Sequence, residues 1–227
     1  MNYSGWELKF FDASKNFRNY QYKLIKEYIG NKVLEVGPGS GNFAKNFLVD
    51  KVNSIYLNEI NENLKLKLTQ KFDENKNVKI ISKKINEIND KFDTICYFDV
   101  IEHIEFHEDE ILNALNKLEK NGHLIIIVPA FNYLFSNYDR SVGHYRRYEK
   151  KFFINFVKKN SHLINEKLIY FDSIGYFFLI LNKIINSKNK SIGFATFVWN
   201  LLIPISKLLD LITFNSFGKS LLCVIKK

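Results

Sequence analysis

Nine residues, Val33-Leu34-Glu35-Val36-Gly37-Pro38-Gly39-Ser40-Gly41, constrain this chain more than any other stretch: an apolar strand runs into three alternate glycines and then a helix-forming segment. Glycine allows positive φ and lets a ligand approach where a Cβ would collide. A dinucleotide fingerprint needs glycine at the first, third and sixth positions, the sixth being where helix packs on strand. Here the sixth position is Asn42. Glu35 stands two residues before the first glycine, where a pyrophosphate would meet negative charge and a ligand ammonium would find a partner. The loop therefore favours a cationic ligand without a pyrophosphate. A tight turn with no ligand is the plain alternative.

Apolar runs at Lys32–Val36, Ser54–Asn58, Val78–Ile81, Phe92–Phe98 and 123–128 alternate with helical periodicity at 17–30, 42–49, 62–72 and 105–119. Strands that are apolar almost throughout are buried on both faces, so the pattern predicts a parallel sheet between helical layers. Past residue 150 come a helix at 149–159, a strand at 166–171, a long apolar and aromatic stretch at 174–217, and a closing strand at Ser220–Lys226. The expected architecture is doubly wound α/β with a mostly parallel seven-stranded sheet. It is read as one domain over 1–227: an N-terminal helical segment (1–30), a cofactor-binding core (31–150), a helical cap (172–219) and the last strand (220–226).

Composition narrows the setting. Cys96 and Cys223 each sit in an apolar run and read as core residues, a usage that suits a reducing compartment. The N-terminus lacks the basic start and apolar run of a secretion signal, so a cytoplasmic location is expected, with a station at the inner face of a membrane left open. The net charge of +9 comes from scattered lysines, with no basic stripe interleaved with aromatics, so nucleic acid is not the expected partner. Residues 192–212 have the length of a membrane span but are interrupted by Asn200, Pro204, Lys207 and Asp210. An internal cap, an interfacial helix, a span and a contact with a second copy all remain open.

Glu59 follows Gly37 by 22 positions and ends the second strand. A carboxylate there can accept from both hydroxyls of a ribose, or simply complement a helix N-terminus. Together with Phe92-Asp93-Thr94-Ile95-Cys96-Tyr97-Phe98-Asp99-Val100-Ile101-Glu102-His103-Ile104, these motifs resemble the class I S-adenosylmethionine-dependent methyltransferases, in motif order over 17–150. The resemblance implies a Rossmann-like methyltransferase fold, S-adenosylmethionine as cofactor and S-adenosylhomocysteine as product. It places Gly37, Pro38, Gly39, Gly41 and Asn42 under the methionyl part, Glu35 at the loop or the amino group, and Glu59 with Ile60 at the ribose. Phe98, Asp99 and His103 fall near the methionine end. Family members often carry an aspartate after the third strand near the adenine amino group, whereas this chain has Lys83-Lys84-Ile85-Asn86, so Asn86 stands in through its amide.

A narrower likeness lies in Val128-Pro129-Ala130-Phe131 and in Asp139-Arg140-Ser141-Val142-Gly143-His144-Tyr145-Arg146-Arg147-Tyr148. It resembles a bacterial subgroup with a Gly-His-Tyr-Arg-Arg-Tyr element, associated with glycan and cell-envelope biosynthesis. That implies O-methylation of a sugar or other small acidic acceptor, lipid-linked in one version, with Tyr20, His144, Tyr145, Arg146 and Arg147 around it. Guanidinium groups suit carboxylate or phosphate, although Arg146 and Arg147 can equally form a helix-start cluster with Glu149 or Asp139. His144, oriented by Asp139, is the first choice of general base and His103 the second; a structural loop histidine is the alternative. No metal is expected, because no set of His, Asp and Glu shows ligand spacing along the chain. An RNA- or protein-modifying methyltransferase and a non-catalytic, membrane-peripheral protein of the same fold are the competing functions.

Overall fold

The computed structural model describes residues 12–185 and 192–227, so part of the expected N-terminal segment and residues 186–191 of the expected cap lie outside it. One seven-stranded sheet runs in the order β3-β2-β1-β4-β5-β7-β6. Its strands are β1 (Lys32–Val36), β2 (Ser54–Asn58), β3 (Val78–Ile81), β4 (Phe92–Phe98), β5 (Leu118–Pro129), β6 (Ile164–Phe171) and β7 (Ser220–Lys226). The first five are parallel, and β7 is antiparallel to both β5 and β6. This is the doubly wound α/β fold expected from the apolar runs.

The period of two along each strand divides the core in two. Leu34, Val36, Ile95, Tyr97, Leu124 and Ile126 face one side, while Val33, Ile55, Leu57, Cys96, Ile125 and Ile127 face the other. Each such side chain contributes roughly 1.5–3 kcal/mol by leaving water. Helix α1 (Lys15–Ile25) covers the second side through Phe17, Tyr20 and Ile25; α2 (Glu62–Lys71) adds Leu68. Helix α3 (His107–Asn116) covers the first side through Ile111, Ala114 and Leu115.

Three local departures have physical causes. The helix expected over 105–119 ends at Asn116, because Leu118 already pairs with Phe92 as the first residue of β5, within which Asn121 turns at φ 64°. The helix expected over 42–49 is wound as a π-turn, Ala44–Leu48, followed by a 3₁₀ turn, Val49–Lys51. A short helix, α4 (Asn137–Ser141), stands between β5 and α5 (Lys150–Lys159); Asp139 caps it by accepting from the Ser136 amide and hydroxyl at 2.8 and 2.9 Å.

Helices α6 (Ser173–Ile185), α7 (Ile192–Leu201) and α8 (Ile203–Ile212) precede β7. Two buried aspartates tie them down. Asp172 accepts from the Gly175 amide, the Trp199 indole and the Ser206 hydroxyl, and Asp210 accepts from Tyr20 and the Asp172 amide, both at 2.7 Å. Helices α7 and α8 meet at a 55° bend, and among the described residues no single helix is long and apolar enough to cross a membrane. Their outer face exposes Phe197, Leu201, Ile205, Leu208 and Leu211, continued by Phe214, which is 90% exposed.

Candidate active site

The glycine loop leaves β1 at the carboxyl edge of the parallel strands. Gly37, Gly39 and Gly41 all have positive φ, at 65°, 57° and 71°. Packing adds a second reason at two of them: a Cβ on Gly37 would lie 2.7 Å from Val100, and one on Gly41 would lie 2.5 Å from Leu68. Gly41 thus lets α2 close onto the loop. Glu59 is buried and reaches back to the loop, its two oxygens accepting from the amides of Gly39 (3.2 Å) and Asn61 (2.9 Å). Burial pushes its carboxyl up, against the pull of those amides. Lys71 bonds the Ser40 carbonyl at 2.8 Å and the Asn42 side chain, so Asn42 serves loop anchoring. Pro38 is buried, Phe98 packs on Phe43 with ring centroids 4.7 Å apart, and Ile60 is exposed beside Glu59.

Glu35 is different. It is buried, and its Oε2 has no hydrogen-bond partner, a rare condition for a buried carboxylate. Burial pushes its carboxyl up to about 7, with Arg18 opposing. Between the ordinary value and about 7 the folded protein keeps a proton that the unfolded chain has lost, so stability falls as pH rises through this window. A lift of that size corresponds to roughly 3 kcal/mol at the ionised end. Glu35→Gln is therefore expected to stabilise the ligand-free protein at about pH 8 and to change little at about pH 5. Denaturant titrations at both pH values check it; equal effects at the two would remove the assignment.

Two segments, after β4 and after α4, bring a cluster of acids and histidines together. Asp99, at φ 56°, leads from β4 into a 3₁₀ turn, Ile101–His103. The segment after α4 supplies His144. Asp139 is fully buried; it accepts from His144 Nδ1 at 2.9 Å and from Arg147 Nε and a terminal nitrogen at 2.8 and 3.0 Å. Burial opposes its ionisation, but the His144 ring and the Arg147 guanidinium hold its carboxyl well below the usual range. A neutral His144 ring that donates Nδ1–H to that carboxylate keeps its lone pair on Nε2, which lies 3.8 Å from Glu102 Oε1. The rings of His103 and His144 meet edge to face, with centroids 4.6 Å apart. Burial and His144 lower His103 to about 4, which keeps it neutral. Glu102 is completely buried with neither oxygen bonded, and burial and Asp99 push its carboxyl well up.

The residues expected around an acceptor separate in space. Tyr20 donates to Asp210 and belongs to the buried anchor of the cap. Arg147 is buried, with its fork closed on Asp139, and Arg146 donates to the carbonyls of Ile104 (2.6 Å) and Glu105 (3.0 Å). Both guanidinium groups are thus engaged by the protein: Arg147 by Asp139, as the alternative allowed, and Arg146 by two backbone carbonyls rather than by Glu149 or Asp139. Tyr145 is half exposed, its amide bonded to the Glu102 carbonyl at 2.8 Å. Asn86 is exposed on a 3₁₀ turn after β3. Two residues escaped the sequence reading. Asn58 clasps Lys83 with its side chain at 2.9 and 3.0 Å, tying the ends of β2 and β3. Glu102 was the other; its position directly before His103, on a turn of its own, was the available signal.

Comparison with known proteins fits this geometry. A methyltransferase-domain family model matches residues 10–163. A curated relative, a ubiquinone biosynthesis O-methyltransferase from Rickettsia bellii, is 25% identical over 150 residues, covering 63% of this chain. The chain spans about 60% of the length of the curated relatives it matches. Among solved structures, the N-methyltransferase NodS from Bradyrhizobium japonicum, in complex with S-adenosylhomocysteine, aligns with TM-score 0.60 at 13% identity over 94% of this chain and 87% of its own. An S-adenosylmethionine-dependent methyltransferase from Clostridium acetobutylicum aligns with TM-score 0.58 at 13% identity, over 94% and 91%. These structural likenesses speak for the fold. With more than half of its length matched by the family model, the chain belongs to the methyltransferase-domain family.

Proposed function

We propose that this methyltransferase transfers a methyl group from S-adenosylmethionine to a hydroxyl of a sugar or other small acceptor carried on a lipid, in glycan or cell-envelope biosynthesis. The cofactor supplies an activated methyl group on a sulfonium. The chain suits it: Glu35 offers an unpartnered buried carboxylate oxygen to an ammonium, the loop glycines keep the backbone open, and Glu59 has further lone pairs for ribose hydroxyls. Methyl transfer then depends mainly on alignment, which can be worth about 7–11 kcal/mol.

The observation that carries the hydroxyl reading is the Asp139–His144 pair, whose fixed tautomer presents Nε2 beside Glu102. A hydroxyl must lose its proton as it attacks, and His144 Nε2 is a basic atom of the cluster whose ring is held in place by Asp139. The name of the curated relative supports oxygen as the accepting atom. The exposed apolar face of α7 and α8, in a chain of net charge +9, supports delivery at an anionic lipid surface. An acidic acceptor loses its main support, because Arg146 and Arg147 already have protein partners.

Label from methyl-labelled S-adenosylmethionine should enter a lipid extract as an ether, stable to mild base. Label released by mild base would identify a carboxyl ester, and label in RNA would identify the competing class; either sinks the proposal.

A further inference from the structure

Glu102, His103 and His144 converge from two separate segments, and each offers one ligand atom, all of these atoms lying within 4.8 Å of one another. We propose that this trio binds one divalent first-row cation of the zinc or manganese class beside the acceptor hydroxyl. Two nitrogens and one carboxylate form a donor set that such cations accept, leaving coordination positions open for substrate. Tetrahedral bonds of about 2.0–2.2 Å put ligand atoms about 3.4 Å apart, so the three atoms, within 4.8 Å of one another and at 3.8 Å for His144 Nε2 and Glu102 Oε1, draw together around a bound cation.

Independent features show a site prepared for a cation. Glu102 is 0% exposed and both of its oxygens lack a hydrogen-bond partner. A buried carboxylate in that condition is costly unless something positive meets it. His144 has the outer support typical of a metal ligand: Nδ1 donates to Asp139, which Arg147 grips in turn, and this leaves the Nε2 lone pair directed at Glu102. The His103 ring is hydrogen-bonded to the Gly143 backbone, a second outer contact that sets its orientation. Asp99 adds negative charge close to Glu102, and hence attraction for a cation.

The inference rests on methyl transfer to a hydroxyl and refines how His144 acts in it. A hydroxyl bound to the cation releases its proton to water more readily. The oxygen's electron pair then forms the C–O bond while the C–S bond breaks onto sulfur, giving an ether and a neutral thioether. The Nε2 lone pair thus works through the cation rather than by taking the proton itself.

Co²⁺ titrated into chelator-treated full-length protein should give a visible d–d band saturating at one equivalent, with Zn²⁺ displacing it. Glu102→Gln and His144→Asn should each weaken Co²⁺ binding at least about 10-fold, the scale set by perturbing supported metal sites. Melting curves verify that both variants are folded. Absence of stoichiometric binding, affinities unchanged in both folded variants, or full methyl transfer after chelation would overturn the proposal. Metal binding is read without acceptor, so a protein that binds cobalt yet methylates no hydroxyl would count against the functional reading instead.

Discussion

Arg147→Ala is expected to lower the unfolding free energy by about 3–5 kcal/mol, the range for removing one partner of a buried ion pair. The guanidinium is 5% exposed and bonds both oxygens of Asp139, which is itself 0% exposed. Without it Asp139 keeps Ser136 and His144 as partners, which places the loss toward the lower end of that range. A lysine can offer charge but not the two-pronged fork, so Arg147→Lys should recover only part of the stability. Denaturant titration reads this directly. If Arg147 instead held the acceptor, its loss would raise KM and leave the denaturation midpoint in place.

The second large effect is kinetic. Whether its ring takes the hydroxyl proton or holds the cation that acidifies it, His144→Ala should reduce turnover by about 10²- to 10⁴-fold, with little change in the affinity for S-adenosylhomocysteine. The His144 side chain is only 12% exposed, but its ring lies against Asp139, His103 and Glu102 without forming a two-pronged ion pair. Its removal is therefore expected to cost far less stability than the loss of Arg147. Asp139→Asn should act in the same direction, because an amide can accept or donate and no longer fixes which ring nitrogen carries the proton. Turnover and cofactor affinity measured side by side test this. A large loss of cofactor affinity with unchanged turnover would move His144 out of the transfer step.

Much of the fold was legible because burial on both faces leaves near-continuous apolar runs: β1 through β4 and β7 have the bounds those runs suggested. The start of β5 was hidden, since Glu119, Lys120 and Asn121 read as a polar helix end although Leu118 already pairs with Phe92. The π-turn at Ala44–Leu48 carries an apolar spacing like that of an α-helix, and nothing local distinguishes them. At the site, the glycine loop and the acid after β2 announced themselves by spacing. Arg147 did not, because whether a guanidinium faces outward or closes on Asp139 depends on the path of α4. The trio of Glu102, His103 and His144 was equally invisible, since His144 lies some forty residues beyond the adjacent Glu102 and His103 and joins them only when the two segments meet.

The position of β7 has a consequence for how the molecule is made. Among the described residues, β6 has β7 as its sole strand neighbour, and β7 fills the gap between β5 and β6. As the chain leaves the ribosome, β2 to β5 can add in turn to β1, each finding a parallel partner already synthesised. Strand β6 must wait while α6, α7 and α8 emerge, and only the arrival of β7 lets it dock. The helices with the most apolar outer face are thus synthesised while the sheet beneath them is still open, a late, long-range closure of the kind that slows folding and exposes chains to aggregation. Chaperone demand during synthesis should therefore concentrate in the interval between β6 and β7, after the cofactor half of the sheet has formed.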